Sequence, residues 1–568
     1  MPGLELKTNL AADKGGETRN QFTPAAIVAN GVATGISSSV DNYSWTAETN
    51  LYYTKTFLKD HHIEALIGYS AQKFDQYSNS VSGTGFPSDD VPYISAATSL
   101  SAGSSNTKQF SMLSNIGRLI YNYKGKYLLT AAIRRDGSSR FGSNRRYGSF
   151  PSVSGGWIVS DENFMKKFKF LDLLKLRASY GITGNNNFPD NYASIAKLGE
   201  MNYILNGALV SGQTITTLGN SELGWERNKQ FDIGFDMGIL NNRISFSYDY
   251  YHKMTDGLIQ DRLIPRASGF TTIKFNIGVF EFWGHEININ TVNLTGNLKW
   301  NTNLNISIDR NLIKSLVSPG FIRRNNTVTS DYFRNQEGHH LGEFYGFIFE
   351  GLYKDAEDLA NSAKYGSASD VGTIKMKDVN NDGAIDDVND RTFIGDPTPD
   401  FNFGLTNEFR YKNFDLNIAM SGSVGGKILN AAKWAYQTNM DGSRMLLAAA
   451  ADRWRSPENP GSGIYPRTKT GTTAIGRSVN SQWIEDGTYL TAKNISVGYS
   501  FNLMNRNMLL KNLRVYGSVQ QAFVLTKFTG MNPEIGLSGL DATKGIGVNE
   551  NAYPIPRTFS IGFTVTFK

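Results

Sequence analysis

The chain has 568 residues and no cysteine, so neither disulfides nor thiolate chemistry is available to it. Charged residues make up 19% and aromatics 12%, with 27 Tyr, 34 Phe and 57 Gly, a low charge content that suits many strands and tight turns. The net charge of +6 is scattered with no long basic run, which excludes nucleic acid as the partner. No apolar run of about 18 residues or more exists, which excludes a helical membrane span.

Read in chain order, residues 2–10 alternate Leu4 and Leu6 with Glu5 and Lys7, and a polar stretch follows to about Asn42. Strand-like segments then arrive in pairs. Tyr43–Phe57 and His61–Phe74 flank the turn Leu58-Lys59-Asp60, and Lys108–Tyr123 and Lys126–Arg135 flank Lys124-Gly125. Phe150–Ser160 and Leu171–Gly181 come next. Arg227–Leu240 places Phe231, Ile233, Phe235, Met237 and Ile239 on one face, with Asp232, Gly234, Asp236 and Gly238 on the other. After the turn Asn241-Asn242, the segment Arg243–Lys253 repeats the pattern, as do residues 296–309. Phe401–Tyr411 and Phe414–Ser421 pair around Lys412-Asn413. Thr488–Phe501, Leu513–Phe528 and Arg557–Lys568 close the chain.

The last segment shows the rule most plainly. Phe559, Ile561, Phe563, Val565 and Phe567 alternate with Ser560, Gly562, Thr564 and Thr566. That is a strand with one apolar and one polar face, of the length that crosses a bilayer at a tilt. About 16 such strands are expected, most of about ten residues or more, against roughly 5–6 in soluble sheets. Long polar loops are expected at 75–107, 185–226, 311–399 and 422–486, with a shorter one at 530–555. Met445–Trp454 is expected to be a short helix within one of them. The fold class is therefore all-β, an antiparallel transmembrane β-barrel with long extracellular loops. A surface-exposed β-sandwich binding protein or adhesin is the alternative, and a secreted β-rich glycosidase a third. No fixed repeat of about 20–50 residues supports a solenoid.

The sharpest chemical motif is Asp378-Val379-Asn380-Asn381-Asp382-Gly383-Ala384-Ile385-Asp386. Asp378, Asn380 and Asp382 stand where a calcium loop offers side-chain oxygens, Gly383 where it turns sharply, Ala384 where it offers a carbonyl, and Asp386 further round. The bidentate acid at the loop's end is replaced by Asn389, with Asp390 one residue late. The expectation is a structural Ca²⁺ held by Asp378, Asn380, Asp382, Ala384, Asp386 and Asp390; the competing expectation is an acidic turn capped by its own side chains.

Catalytic signals are weak. His61-His62, His252, His285 and His339-His340 lack metal-ligand spacing, and the two pairs His61-His62 and His339-His340, in turn or loop contexts, are expected to be solvated. Glu485-Asp486 reads as a turn closure, and no nucleophile elbow, phosphate loop or zinc signature appears. The cluster Arg134, Arg135, Asp136, Arg140, Arg145 and Arg146 is expected to be an ion-paired rim, with a substrate anion or lipid head group as the sharper alternative. Trp225, Trp434, Trp454 and Trp483 lie in or beside loops and are expected to serve as girdle or loop-core rings, with stacking on sugars as the sharper alternative.

Six stretches in order resemble the SusC/RagA family of TonB-linked outer-membrane transporters of Bacteroidota. They are L-T-A-A-I-R-R-D-G-S-S-R-F-G at Leu129–Gly142 with R-Y-G-S-F-P-S-V-S-G-G-W at Arg146–Trp157; L-D-L-L-K-L-R-A-S-Y-G-I-T-G-N at Leu171–Asn185; L-G-W-E-R at Leu223–Arg227 with Asn241–Tyr251; Asp378–Asp387 with Arg391–Phe401; Ile484–Tyr499; and Tyr553–Gly562. Asn276–Ile287 departs from the family's more polar run. The resemblance implies an outer-membrane nutrient importer for glycan or peptide fragments, not an enzyme. It further implies a SusD-like surface lipoprotein as lid, drive from TonB-ExbB-ExbD, and outer-membrane lipid around the barrel. The family's barrel has about 22 strands, and its export signal and plug are not recognisable between Met1 and Lys568. Residues 1–568 are therefore expected to be the C-terminal portion of a barrel, with TonB reached through the part that precedes it.

Overall fold

The computed structural model describes residues 2–567 apart from 29, 102, 188–189, 317–320, 324–331, 439, 441–445, 469–477, 504–509, 535–546 and 550–553. By contacts the chain divides into two compact units: 1–158, 177–231 and 254–279 form one, and 159–176, 232–253 and 280–568 the other. Among the described residues, no helix is long and apolar enough to cross a membrane.

The first unit is built on an antiparallel meander of six long strands. Leu4–Thr23 pairs with Thr34–Phe57, which pairs along its whole length with His61–Thr84. Ser104–Tyr123, Tyr127–Ser138 and Tyr147–Ile158 follow. The connections at one end are tight, because Leu58 and Lys59 (φ 49° and 64°) and Lys124 and Gly125 (φ 55° and 70°) take the left-handed conformation that closes a hairpin. Neighbouring residues face opposite ways: Leu66 is buried, whereas Ile67 is 71% exposed. Ile67, Tyr69, Leu129 and Ile133 thus form one apolar, exposed face.

The second unit repeats the plan. Leu298–Ser315, Pro399–Tyr411, Phe414–Gly425, Tyr489–Asn502, Leu510–Thr526 and Thr558–Phe567 pair in that order. Bulges at Ala419/Met420 and Ala492/Asn494 interrupt two of the ladders. Four more long strands, Leu171–Asn185, Glu226–Ile239, Ile244–Asp256 and Val279–Thr295, hold residues of both units. With these, the described residues hold the expected sixteen long strands.

Three expectations need correction. The polar stretch before Asn42 is mostly strand, and Thr34–Phe57 and His61–Thr84 run well past their apolar parts. Hydrogen bonding continues where both faces are polar, so alternation ends before the strand does. The 185–226 loop holds a hairpin, Lys197–Leu205 with Ala208–Thr217, turned at Asn206-Gly207 with φ of 50° and 77°. The helix expected at Met445–Trp454 is a single 3-10 turn at Ala448–Asp452, and Met445 lies outside the described residues.

The long loops of the second unit are packed rather than loose. Phe344–Phe347 pairs with Arg391–Gly395, Phe349–Leu352 with Ile374–Met376, and Lys427–Asn430 with Ile484–Asp486. One core gathers Tyr332, Phe333, Phe344, Leu429, Val479 and Trp483; another gathers Phe347, Leu352, Ile374, Met376, Ile385 and Trp454.

Candidate functional site

The acidic loop leaves the strand Ile374–Met376 and returns into Arg391–Gly395, with Ile385 anchored in the Trp454 core. Asn381 and Gly383 adopt φ of 60° and 84°, which makes the sharp turn. The Asp378 carboxylate accepts the N–H groups of Asn381 (2.6 Å) and Gly383 (2.8 Å), and Asp382 accepts that of Ala384 (2.9 Å). The Asn380 amide donates to Asp382 at 2.7 Å. Asp386 accepts the N–H groups of Asn389 and Val388, both at 2.7 Å, which holds its carboxyl below the usual carboxylate range. Asp390 is fully buried and receives the Val379 N–H at 2.8 Å and the Asp386 N–H at 2.7 Å, tying the two ends together. The oxygens are hard donors of the kind Ca²⁺ takes. In this conformation they are turned onto the loop's own amides, and among the described residues no three acidic or histidine side chains converge on one point.

The arginine cluster belongs to the first unit, and one pair within it, Arg134 with Asp136, is internal. Arg134 donates twice to Asp136, at 2.7 and 2.9 Å, and once to Ser114 at 3.0 Å. Arg145 pairs with Glu222 at 3.2 Å. The Asn144 amide, first, and Arg145 hold the Glu222 carboxyl below its ordinary range. Arg140 lies over the Phe110 ring at 4.1 Å and donates to Asn191 and to the Asn186 carbonyl. Arg135 faces the Tyr147 ring at 5.2 Å. Arg146 contributes its carbonyl to the Trp225 indole at 2.9 Å. Its side chain borders a cleft of about 450 Å³, with Lys73, Phe110, Phe141, Asn191 and Tyr192 among the other lining residues.

Trp225, Trp454 and Trp483 are 8%, 8% and 2% exposed, so they are cores of loops and not stacking platforms. The side chain of Trp434 lies outside the described residues. The histidines are partly exposed, and each also has a partner. His61 meets Tyr121 (2.7 Å), His62 Glu64 (3.1 Å), His252 Glu281 (2.7 Å), His285 Tyr248 (2.9 Å) and His340 Asp396 (2.5 Å). His339 stacks on Phe393 with ring centres 3.7 Å apart. Half-burial in a polar cluster needs such partners, and single-letter spacing does not show them.

Glu485 and Asp486, expected to close a turn, instead lie in the short strand Ile484–Asp486 paired with Lys427–Asn430. Burial opposes the charge on Glu485. The Thr529 N–H and hydroxyl, the Asn430 amide and Lys433 more than offset it, so its carboxyl stays below the usual range. Asp486 accepts the Thr488 N–H at 2.7 Å.

The TonB dependent receptor-like, beta-barrel family matches residues 5–520. TonB-dependent receptor P3 of Formosa agariphila is 32% identical over all of this chain and 57% of its own length. TonB-dependent receptor SusC of Bacteroides thetaiotaomicron is 27% identical over all of this chain and 54% of its own length. The chain thus spans a little over half the length of these curated relatives. The RagAB peptide transporter shares the fold, with a TM-score of 0.83 at 22% identity over 100% of this chain and 60% of that one. The chain therefore belongs to the TonB-dependent receptor-like β-barrel family, and its place is the bacterial outer membrane.

Proposed function

We propose that this barrel serves TonB-dependent import of glycan or peptide fragments, with a SusD-like lipoprotein on its outer side and TonB-ExbB-ExbD as the drive. The observation that carries the reading is the one-ended architecture of the second unit. Its strands are joined at one end by tight turns such as Lys412-Asn413. At the other end, loops fold into buried cores around Trp454 and Trp483. Rigid loops at one mouth of a barrel suit selection of a ligand before passage. Likeness to TonB-dependent receptor SusC and to the RagAB peptide transporter supports TonB coupling and a peptide cargo.

The test is uptake of labelled oligosaccharides and peptides by cells with and without the gene, and with the proton gradient collapsed. Import that disappears in both cases supports the reading. Surface binding that is lost while uptake persists identifies an adhesin instead.

We also propose that the loop Asp378–Asp390 takes a structural Ca²⁺, its Asp378, Asn380 and Asp382 side chains swinging from loop amides to the ion. The alternate spacing and the turn at Gly383 support this. Calorimetric titration of the transporter with Ca²⁺, alongside the Asp378→Asn variant, tests it; a silent titration overturns it.

A further inference from the structure

The cleft of about 450 Å³ in the first unit has charge of one sign on its walls. Its charged lining residues are Lys73 and Arg146, both basic. The acids beside it each hold a cation of their own: Asp75 pairs with Lys73 at 3.2 Å, Glu222 with Arg145 at 3.2 Å and Asp190 with Lys197 at 2.7 Å. Arg146 is left over, since among the described residues no hydrogen bond or ion pair involves its guanidinium. Arg140, stacked on the lining Phe110, meets only neutral groups, the Asn191 amide oxygen and the Asn186 carbonyl. Burial with no carboxylate opposite pushes its guanidinium below the ordinary value. Among the described residues, Arg140 and Arg146 are thus cations that no acid offsets.

The cleft stands clear of the bilayer. Lys73 lies twelve residues along its strand from His61 at the tight turn. At about 3.3 Å per residue and a tilt of about 40°, that is roughly 30 Å, past an apolar band of about 25 Å. Around the cations the walls offer hydroxyls and an amide, from Ser111, Ser143, Ser194, Ser221 and Gln109. Gly142 lets the walls meet, because a Cβ there would come within 1.9 Å of the Ser221 carbonyl oxygen. The strand edge beside the cleft is already taken. The ladder to Tyr127–Ser138 ends at Met112, and the next N–H groups, of Ser111 and Gln109, go to the hydroxyls of Ser139 at 2.9 Å and Tyr192 at 3.0 Å. An extended peptide therefore finds no edge to add to. Serine hydroxyls, which both donate and accept, match the hydroxyls of a sugar, and an arginine fork matches a carboxylate.

We propose that this cleft takes an acidic sugar unit of a glycan fragment, its carboxylate on Arg146 and its hydroxyls on the serine walls. The inference rests on the import reading for its cargo and on the long-loop end facing out of the cell.

The test is calorimetric titration of the transporter purified from outer membranes with trigalacturonate, with a neutral trisaccharide and with a triglutamate peptide. Wild type is expected to bind the uronate trimer and to bind the neutral one about tenfold or more weakly. Arg146→Gln removes a charge that the fold does not pair, and is expected to weaken uronate binding about tenfold or more. Arg146→Lys is expected to keep most of the binding. Lys412→Gln, the same loss of charge in a distant tight turn, is expected to bind as wild type does. Equal uronate binding by wild type and Arg146→Gln overturns the proposal. So does no binding by wild type, equal binding of the neutral trimer, or tighter binding of triglutamate. Uptake by the same strains separates the two readings. Uronate binding that needs Arg146, without any import, leaves the cleft standing and removes the transport function; glycan import without uronate binding removes the cleft alone.

Discussion

Asp390 carries the shape of the acidic loop. Its two oxygens receive backbone N–H groups from both ends of the loop, and no water reaches it. Asp390→Ala leaves those donors unpaired in a buried place, at about 1–3 kcal/mol for each. Limited proteolysis is expected to cut within 378–390 in the variant and not in wild type; equal protection contradicts the assignment. Glu485 makes the pH prediction. Its carboxyl lies below the ordinary range in the folded state, so its contribution is complete above the unfolded value of about 4.3 and is lost as pH falls through the lower folded value. Glu485→Gln is expected to weaken the loop core at neutral pH and to flatten the acid limb of its unfolding profile. An unchanged acid limb counts against it.

Strands were the legible elements. Alternation marked Phe401–Tyr411 and Thr558–Lys568 because one face meets lipid, a demand that repeats every second residue. The polar extension of Thr34–Phe57 was not legible, since water on both faces imposes no period. The hairpin at Asn206-Gly207 did carry a readable turn signal, which the surrounding polar loop obscured. In the candidate site, the spacing of Asp378, Asn380 and Asp382 was visible, but the partners of His340, Arg140 and Trp225 were not. Those depend on residues tens of positions away. Alternation also predicts which substitutions hurt. Leu304 faces the lipid side mid-strand, and Asn301 faces the other way. Leu304→Arg is expected to destabilise by about 2–4 kcal/mol and Asn301→Arg to be nearly neutral. Urea unfolding in lipid vesicles reads the difference, and equal costs would mean the facing is misassigned.

At the scale of the whole molecule, Leu4–Thr23 and Thr558–Phe567 stand apart. Among the described residues each is paired along one edge, with Thr34–Phe57 and with Leu510–Thr526, and nearly every residue in each is exposed. In lipid an unpaired strand edge is costly, since its N–H and C=O groups find no water. Residues 1–568 expressed by themselves are therefore expected not to insert as a closed barrel; a stable, heat-modifiable monomer on gels contradicts this. The central claim is an outer-membrane barrel whose packed loops face outwards and whose tight turns face inwards. The absence of cysteine allows a direct test by single-cysteine labelling of intact cells with a membrane-impermeant maleimide. Val388, in the acidic loop, is 80% exposed, and Lys412 sits in the tight turn at φ 52°. The account predicts that Val388→Cys labels on intact cells and Lys412→Cys only after the outer membrane is opened. Labelling of Lys412→Cys on intact cells with Val388→Cys protected would contradict it.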